Sequence, residues 1–247
     1  MAVPPVEVLA LAANSPGLFQ PSLRRTHFIT GKTKMLPFTF YTKLEQTLLL
    51  GKRARNLRML IHGIREVPDA SIYHHTHRFL LQHHYLSPEP PNDFAYWVTE
   101  VLNDKILGER LWSIDIIQFG SIGELRERLL EVLEDHAAGM ERDVDAPRGE
   151  EFHFQASRIF VLPTSLVVTS LGELREALQR VTINAIYYHM FDARLRLERG
   201  DNDFSRWLID GGDRDLAAEI RDLDPYTQTL EGLRQRLISM VRDYEHA

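Results

Sequence analysis

An internal repeat constrains this chain more than any other feature of its sequence. Phe-Thr-Phe at 38–40 matches Phe-His-Phe at 152–154, at an offset of 114 residues. Other matched segments, at this offset or at 110 after a gap of four residues, are 57–67 with 171–181, 71–75 with 185–189, and 92–97 with 202–207. Segments that agree in order along the chain indicate a tandem duplication.

The repeat divides the chain into four parts. We expect repeat unit 1 over 38–136 and repeat unit 2 over 152–245, packed together as one globular body. The segment 137–151 is rich in Asp, Glu, Gly and Arg and predicts a solvated linker. Residues 1–37 contain five prolines and match nothing in unit 2. They predict a mobile N-terminal extension, unless residues 1–34 come from a misassigned start.

Each unit is predicted to be mainly helical. Ser170 and Glu173 form a capping-box pattern, and leucines then recur at intervals of three and four. Asn92 and Asn202 are good N-caps for a further helix. The alternating Phe-x-Phe at each unit's start suggests short strands. The expected fold is mainly α with a small β element, formed by two helical units of about 95 residues related by a pseudo-twofold axis.

Composition and charge exclude several classes of protein. The chain has no cysteine, so disulfides, thiol nucleophiles and thiolate metal sites are ruled out. Its longest apolar run, from Val8 to Ala13, is far shorter than the roughly 20 residues that cross a bilayer. No basic region precedes that run, which argues against a cleaved secretory signal. We therefore expect a cytoplasmic protein without a membrane partner.

Basic residues are concentrated at one end of the chain. Residues 1–65 hold ten basic and two acidic side chains, a net charge of +8, whereas the whole chain carries −6. A polar arm on an acidic body is one interpretation, and an arm that binds nucleic acid or phosphorylated ligands is the other. The acidic overall balance argues against a nucleic-acid partner.

A basic stretch before the first predicted helix is the candidate ligand-binding site. Basic side chains and free N–H groups at a helix start can hold an anion. The equivalent stretch of unit 2 is apolar, so the two copies have diverged here. A solvated basic loop is the alternative. The candidate residues are Lys52, Arg53, Arg55 and Asn56.

Tyrosine, histidine and aspartate recur at matching positions of the two units. The candidates are Tyr73, His75 and Asp93 in unit 1, and Tyr187, His189 and Asp203 in unit 2. An aspartate that accepts a hydrogen bond from imidazole fixes its tautomer and raises its basicity, and a nearby tyrosine can act as an acid. Asn-Asp also caps helices, which favours a structural role for these residues as an internal strut between helices. A ligand or partner site and a catalytic dyad are the alternative interpretations.

Unit 1 is rich in histidines, and imidazole suits zinc, nickel or copper. His74, His77 and His84 can share one helix face. Unit 2 replaces the first two by Tyr188 and Phe191, which favours packing positions over metal ligands. We therefore predict no metal site and no cofactor.

Several of these motifs resemble an uncharacterised prokaryotic family, a domain of unknown function. The resemblance rests on Gly-Lys-Arg-Ala-Arg-Asn-Leu at 51–57, Ser-Ile-Tyr-His-His-Thr at 71–76 and Asn-Asp-Phe-Ala-Tyr-Trp-Val at 92–98. In unit 2 it rests on Ile-Tyr-Tyr-His at 186–189 and Asn-Asp-Phe-Ser-Arg-Trp at 202–207. It covers about 38–245 and implies no activity and no catalytic residue.

Two functions follow as hypotheses. The first is a cytoplasmic accessory or interaction protein that binds a protein partner or a small anionic ligand, through the basic stretch and the His-Pro loop from His83 to Pro91. The second is a hydrolase or transferase that uses His75 with Asp93 and Tyr73.

Overall fold

The structure, a computed structural model, describes residues 7–8, 35–82, 92–197, 201–224 and 229–246. The loop from His83 to Pro91 lies outside the described residues, as does most of the expected N-terminal extension. The described chain is mainly helical around a small antiparallel sheet, which confirms the coarse fold class. None of the helices in these ranges is long and apolar enough to cross a membrane.

Two long antiparallel strands run through the middle of the molecule. They are β2 (Phe38–Ala54) and β3 (Phe152–Val168), and a two-residue strand β1 (Glu7–Val8) pairs with the other edge of β3. Glu45 lies opposite Ile159 near the centre of the β2–β3 ladder. The strands are 17 residues each, longer than the predicted short strands. Leucine, valine, threonine and aromatic residues continue past Phe-x-Phe and sustain the extended backbone.

The helices follow each strand in the same order. After β2 come α1 (Leu57–Glu66), α2 (Asp69–Gln82), α3 (Asp93–Glu100), α4 (Lys105–Trp112) and α5 (Ile122–Ala138). After β3 come α6 (Leu171–Arg180), α7 (Ile183–Tyr187), a π-helical turn (Tyr188–Asp192), α8 (Ala193–Leu197), α9 (Asp203–Gly211), α10 (Arg214–Arg221) and α11 (Leu230–Glu245).

Side chains at the predicted N-caps begin these helices. Asn92 accepts a hydrogen bond from the backbone of Ala95, and Asn202 accepts one from Ser205. Ser170 accepts one from Glu173. Each cap satisfies an N–H group that the first turn leaves without an intrahelical partner.

We call β2 with α1 to α5 (38–138) the first half and β3 with α6 to α11 (152–245) the second half. The hydrophobic interior forms two clusters, and in each the helices of one half pack on the strand of the other. Phe38 and Phe40 of β2 lie with Phe204 and the helices that follow β3. Phe152 and Phe154 of β3 lie with the helices that follow β2. Neither set of helices therefore encloses its core without the strand that belongs to the other half.

Matching arginines tie the long helices to the helix ends beside them. Arg126 of α5 donates to the carbonyls of Ile64 and Val67 at the end of α1. Arg234 of α11 donates to the carbonyls of Leu178 and Val181 at the end of α6. A guanidinium in this position satisfies the last carbonyls of a helix and complements its dipole.

Phe40→Ala tests the packing of a strand on the opposite helices. Phe40 has no exposed surface, so its truncation leaves a cavity and lowers the free energy of unfolding by about 3–5 kcal/mol. Leu44→Ala, on the same strand but 55% exposed, is the control and changes the free energy by about 0.5 kcal/mol or less. Denaturant unfolding measures both, and equal effects would contradict this arrangement.

Candidate functional site

The predicted bond between His75 and Asp93 is present. Nδ1 of His75 lies 2.8 Å from the Asp93 carboxylate at the start of α3. Its other ring nitrogen, Nε2, accepts the backbone N–H of Gln155 in β3 at 3.0 Å. The imidazole is buried and lies against Phe152, with ring centroids 4.7 Å apart. His75 therefore joins two helices of the first half to the strand of the second.

His189 makes the same kinds of contact with the other long strand, β2. Its Nδ1 lies 2.7 Å from Asp203, and its Nε2 accepts the backbone N–H of Tyr41 in β2 at 2.8 Å. Phe38 lies against this ring as Phe152 lies against the other. Arg196 also contacts the Asp203 carboxylate at 2.7 Å, so this His–Asp pair has a positive charge beside it.

The tryptophans of the recurring Asn-Asp-Phe-x-x-Trp motif bind the backbone just before the same strands. The indole N–H of Trp97 donates to the carbonyl of Glu150, just before β3, at 2.7 Å. The indole N–H of Trp207 donates to the carbonyl of Leu36, just before β2, at 2.6 Å. Each histidine and tryptophan pair forms what we call a strand clamp: His75 with Trp97, and His189 with Trp207.

The hydrogen bonds fix the tautomer of His75 and of His189. A carboxylate can only accept, so Nδ1 carries the proton, and Nε2 presents its lone pair to a backbone N–H. Burial lowers the pKa of His189, although Asp203 opposes that effect. For Asp203 burial acts to raise the pKa, but the bonds from His189 and Arg196 hold it below its usual value. With both nitrogens engaged, neither imidazole has a lone pair left to act as a general base.

Tyr73 and Tyr187 do not complete the His–Asp dyads but surround a buried lysine. Lys43 of β2, 1% exposed, donates to the Tyr73 hydroxyl at 2.5 Å and pairs with Asp192 at 2.8 Å. Tyr73 in turn donates to Asp192 at 2.7 Å. The Lys43 ammonium lies over the Tyr187 ring, 4.2 Å from its centroid, and the Tyr187 hydroxyl donates to the carbonyl of His77.

This lysine cluster was not predicted from the sequence. Burial, together with the Asp192 carboxylate, raises the pKa of Tyr73 well above its ordinary value, so the hydroxyl stays protonated. Because a buried charge needs a partner, Lys43 and Asp192 hold each other in place. The signal was a difference between matched positions of the sequence: at the offset of 114, Lys43 corresponds to Ser157, and Arg78 corresponds to Asp192.

A second polar cluster occupies the corresponding place beside α2. Ser157 lies 2.5 Å from the Glu45 carboxylate and 2.8 Å from Nδ1 of His74. The guanidinium of Arg78 lies near Glu45 and 3.2 Å from Nε2 of His74. Burial lowers the pKa of His74 to about 4, so this ring is neutral at neutral pH. Its two nitrogens are occupied by Ser157 and by the amide oxygen of Gln155.

The candidate ligand-binding residues lie at the end of β2 and the start of α1, and most pair with acids of the chain. Lys52 forms an ion pair with Glu66. The Arg55 guanidinium lies 3.6 Å from Asp145, which also accepts a hydrogen bond from Asn56 at 2.7 Å. Arg53 is exposed on the strand.

The segment 137–151 supplies a carboxylate to the start of α1. Both oxygens of Asp143 accept backbone N–H groups, those of Leu57 and Arg58, at 3.2 Å. A carboxylate there complements the helix dipole, as a bound phosphate does elsewhere. The segment predicted to be a solvated linker therefore caps α1, and its own side chain occupies the place expected for an anionic ligand.

Large apolar side chains are exposed on α3 and α4 of the first half. Ile106 is 71%, Tyr96 51% and Trp112 43% exposed. The matching helices are α9, at an offset of 110 from α3, and α10, at an offset of 109 from α4. They carry exposed charged residues instead: Arg206, Asp215 and Arg221. These positions were not singled out from the sequence, although aligning the two matched segments residue by residue exposes the difference. No group of histidines and acids within the described ranges is arranged to hold a metal ion.

Residues 35–242 match a family of unknown function, DUF5752. The chain belongs to this family. It is also similar to OrfY from Thermoproteus tenax, with 32% sequence identity and a TM-score of 0.74, over 87% of this chain and 98% of that one. None of the curated proteins compared with the chain matches it. The resemblance noted from the motifs is thereby confirmed.

His75→Asn tests the strand clamp. The substitution leaves the Gln155 N–H and the Asp93 carboxylate without their ring partner, so we expect the free energy of unfolding to fall by about 1–3 kcal/mol. His62→Asn, on an exposed side chain, is the control and should change it by about 0.5 kcal/mol or less. Unchanged stability of the His75 variant in urea would show that the clamp contributes nothing.

The buried histidines predict a loss of stability in acid. Burial lowers the pKa of His77 from 6.5 to about 4, against the attraction of Asp192. Between these two pH values, the unfolded chain therefore binds a proton at His77 that the folded chain does not bind. Stability is complete above about pH 6.5 and falls as the pH drops toward 4, by about 3 kcal/mol for this group.

His77→Phe tests that contribution, because unit 2 has Phe191 at the matching position. The variant should lose stability less steeply than the wild type between pH 6.5 and 4.5 in urea titrations. Parallel curves would rule out His77 as a source of the pH dependence.

Proposed function

We propose that the two halves are duplicated units, 38–136 and 152–245, related by a pseudo-twofold axis through the strand pair. Glu45 and Ile159, which face each other in the ladder, are separated by the repeat offset of 114 residues. The two strand clamps and the two arginine contacts support the same relation. Residues 137–151 then form the linker between units.

We propose that the protein is a cytoplasmic interaction protein that binds a protein partner, not an enzyme. The observation that carries this proposal is the exposed apolar surface of α3 and α4, formed by Tyr96, Ile106 and Trp112, which we call the α3–α4 surface. Tyrosine and tryptophan are enriched at the energetic centres of protein interfaces. The matching charged residues of the second half indicate that the fold itself does not require apolar side chains there.

The surroundings of the other candidate residues favour a protein partner over the alternatives. Asp143 and Asp145 already neutralise the start of α1, which leaves less attraction for a small anion. The His75–Asp93 pair has no free ring nitrogen for hydrolase or transferase chemistry. The absence of cysteine fits a reducing compartment such as the cytoplasm.

A triple variant that copies the second half tests the function. Tyr96→Arg, Ile106→Asp and Trp112→Arg introduce the residues that α9 and α10 carry at the matching exposed positions. Each change is on the surface, so we expect stability to shift by about 0.5 kcal/mol or less per site. The full-length wild type and the triple variant are each immobilised on a resin and incubated with an extract of the source cells. The proteins retained on each resin are then quantified by mass spectrometry.

The matched control carries exposed apolar changes elsewhere, Val144→Asp with Val167→Asp. We expect one protein to be retained by the wild type and the control and lost from the triple variant. Retention that is equal on all three, or absent from all three, contradicts the proposed role of the α3–α4 surface.

A further inference from the structure

Two hydrogen bonds show which backbone groups of β2 point away from β3. The N–H of Tyr41 binds His189, and the carbonyl of Lys43 accepts a bond from Asn184. Backbone direction in a strand alternates with a period of two. The N–H and C=O groups of Glu45, Thr47 and Leu49 therefore also point outward, and those of the residues between them point toward β3.

The described residues cover the outer edge of β2 along only part of its length. Near residue 42 the start of α7 covers it, where Thr42 and Thr182 share a hydrogen bond. From Glu45 to Leu49, no backbone partner on that side is found among the described residues. Thr47 and Leu49 are exposed, Leu49 by 79%. We call this stretch, residues 45–49, the free edge.

The corresponding edge of β3 carries a strand. Glu7 pairs with Val161 in antiparallel register, and Val8 pairs with Phe160. Val161 lies 114 residues after Thr47, so it occupies the matching position on the other strand. The sheet therefore already pairs with an added strand at Val161 of β3. The backbone N–H and C=O groups of Thr47, at the matching position of β2, point outward in the same way.

We propose that the free edge of β2 binds an extended peptide segment of a partner protein as an additional antiparallel strand. An exposed edge pairs through its main-chain groups, and alternate side chains then provide selectivity. Leu44, which is 55% exposed, and Leu48 lie on the sheet face away from Lys43. The segment that fits carries apolar residues at alternate positions on this face. This surface is separate from the α3–α4 surface, and its proposal does not rest on that one.

Amide hydrogen exchange in the full-length protein, followed by NMR, tests the proposal. The probe is a synthetic peptide with the sequence of residues 3–12, which contains the segment that pairs with β3. Without peptide, the amides of Glu45 and Thr47 should exchange quickly and that of Val161 slowly. With saturating peptide, Thr47 should become protected while Val161 stays unchanged.

Three results would overturn the proposal. Slow exchange of Thr47 without peptide would mean that this edge is already covered. No change with peptide would mean that the edge does not accept a strand. Altered exchange of Val161 in place of Thr47 would mean that the peptide replaces β1.

A pair of variants separates the backbone contact from the side chain. Thr47→Pro removes the outward N–H and leaves the ladder with β3 intact, because that N–H does not face β3. It should abolish peptide binding in fluorescence anisotropy while the circular dichroism spectrum is unchanged. Thr47→Val keeps the N–H and should bind as the wild type does. Equal binding by Thr47→Pro would contradict strand addition.

Discussion

The exchange of strands between the two halves is the constraint on which the rest of the structure depends. Phe40 and Phe154 are almost completely buried, each among helices that follow the other strand. Burial of such side chains is the main favourable term in folding, so each half is completed by the other. The histidine of each strand clamp binds the backbone of that same strand, and the tryptophan binds the backbone just before it. The recurring histidine and tryptophan therefore hold the exchanged strands.

The polar interior distinguishes the two halves from one another. Lys43 and Asp192 form a buried ion pair between β2 and the π-helical turn. At matching positions the other side has Ser157 and Arg78, so the two sides differ in charge.

Local features were predictable from the sequence, whereas long-range partners were not. The caps at Asn92 and Asn202 and the bond between His75 and Asp93 follow from spacing within about 20 residues. Alternation in a strand shows that one face is buried, but not which helices cover it, so the exchange of strands was not predicted. The lysine cluster joins residues far apart in the chain, and the eight-residue helices α4 and α10 are too short for a clear periodic signal.

Nuclear Overhauser effects between tryptophan and phenylalanine rings test the strand exchange most directly. Phe38 lies 5.7 Å from Trp207 between ring centroids, and Phe152 lies 5.7 Å from Trp97. In the full-length protein with assigned aromatic resonances, we expect cross-peaks for these two pairs. Cross-peaks from Phe38 to Trp97 and from Phe152 to Trp207 would contradict it, because each strand would then pack on the helices of its own half.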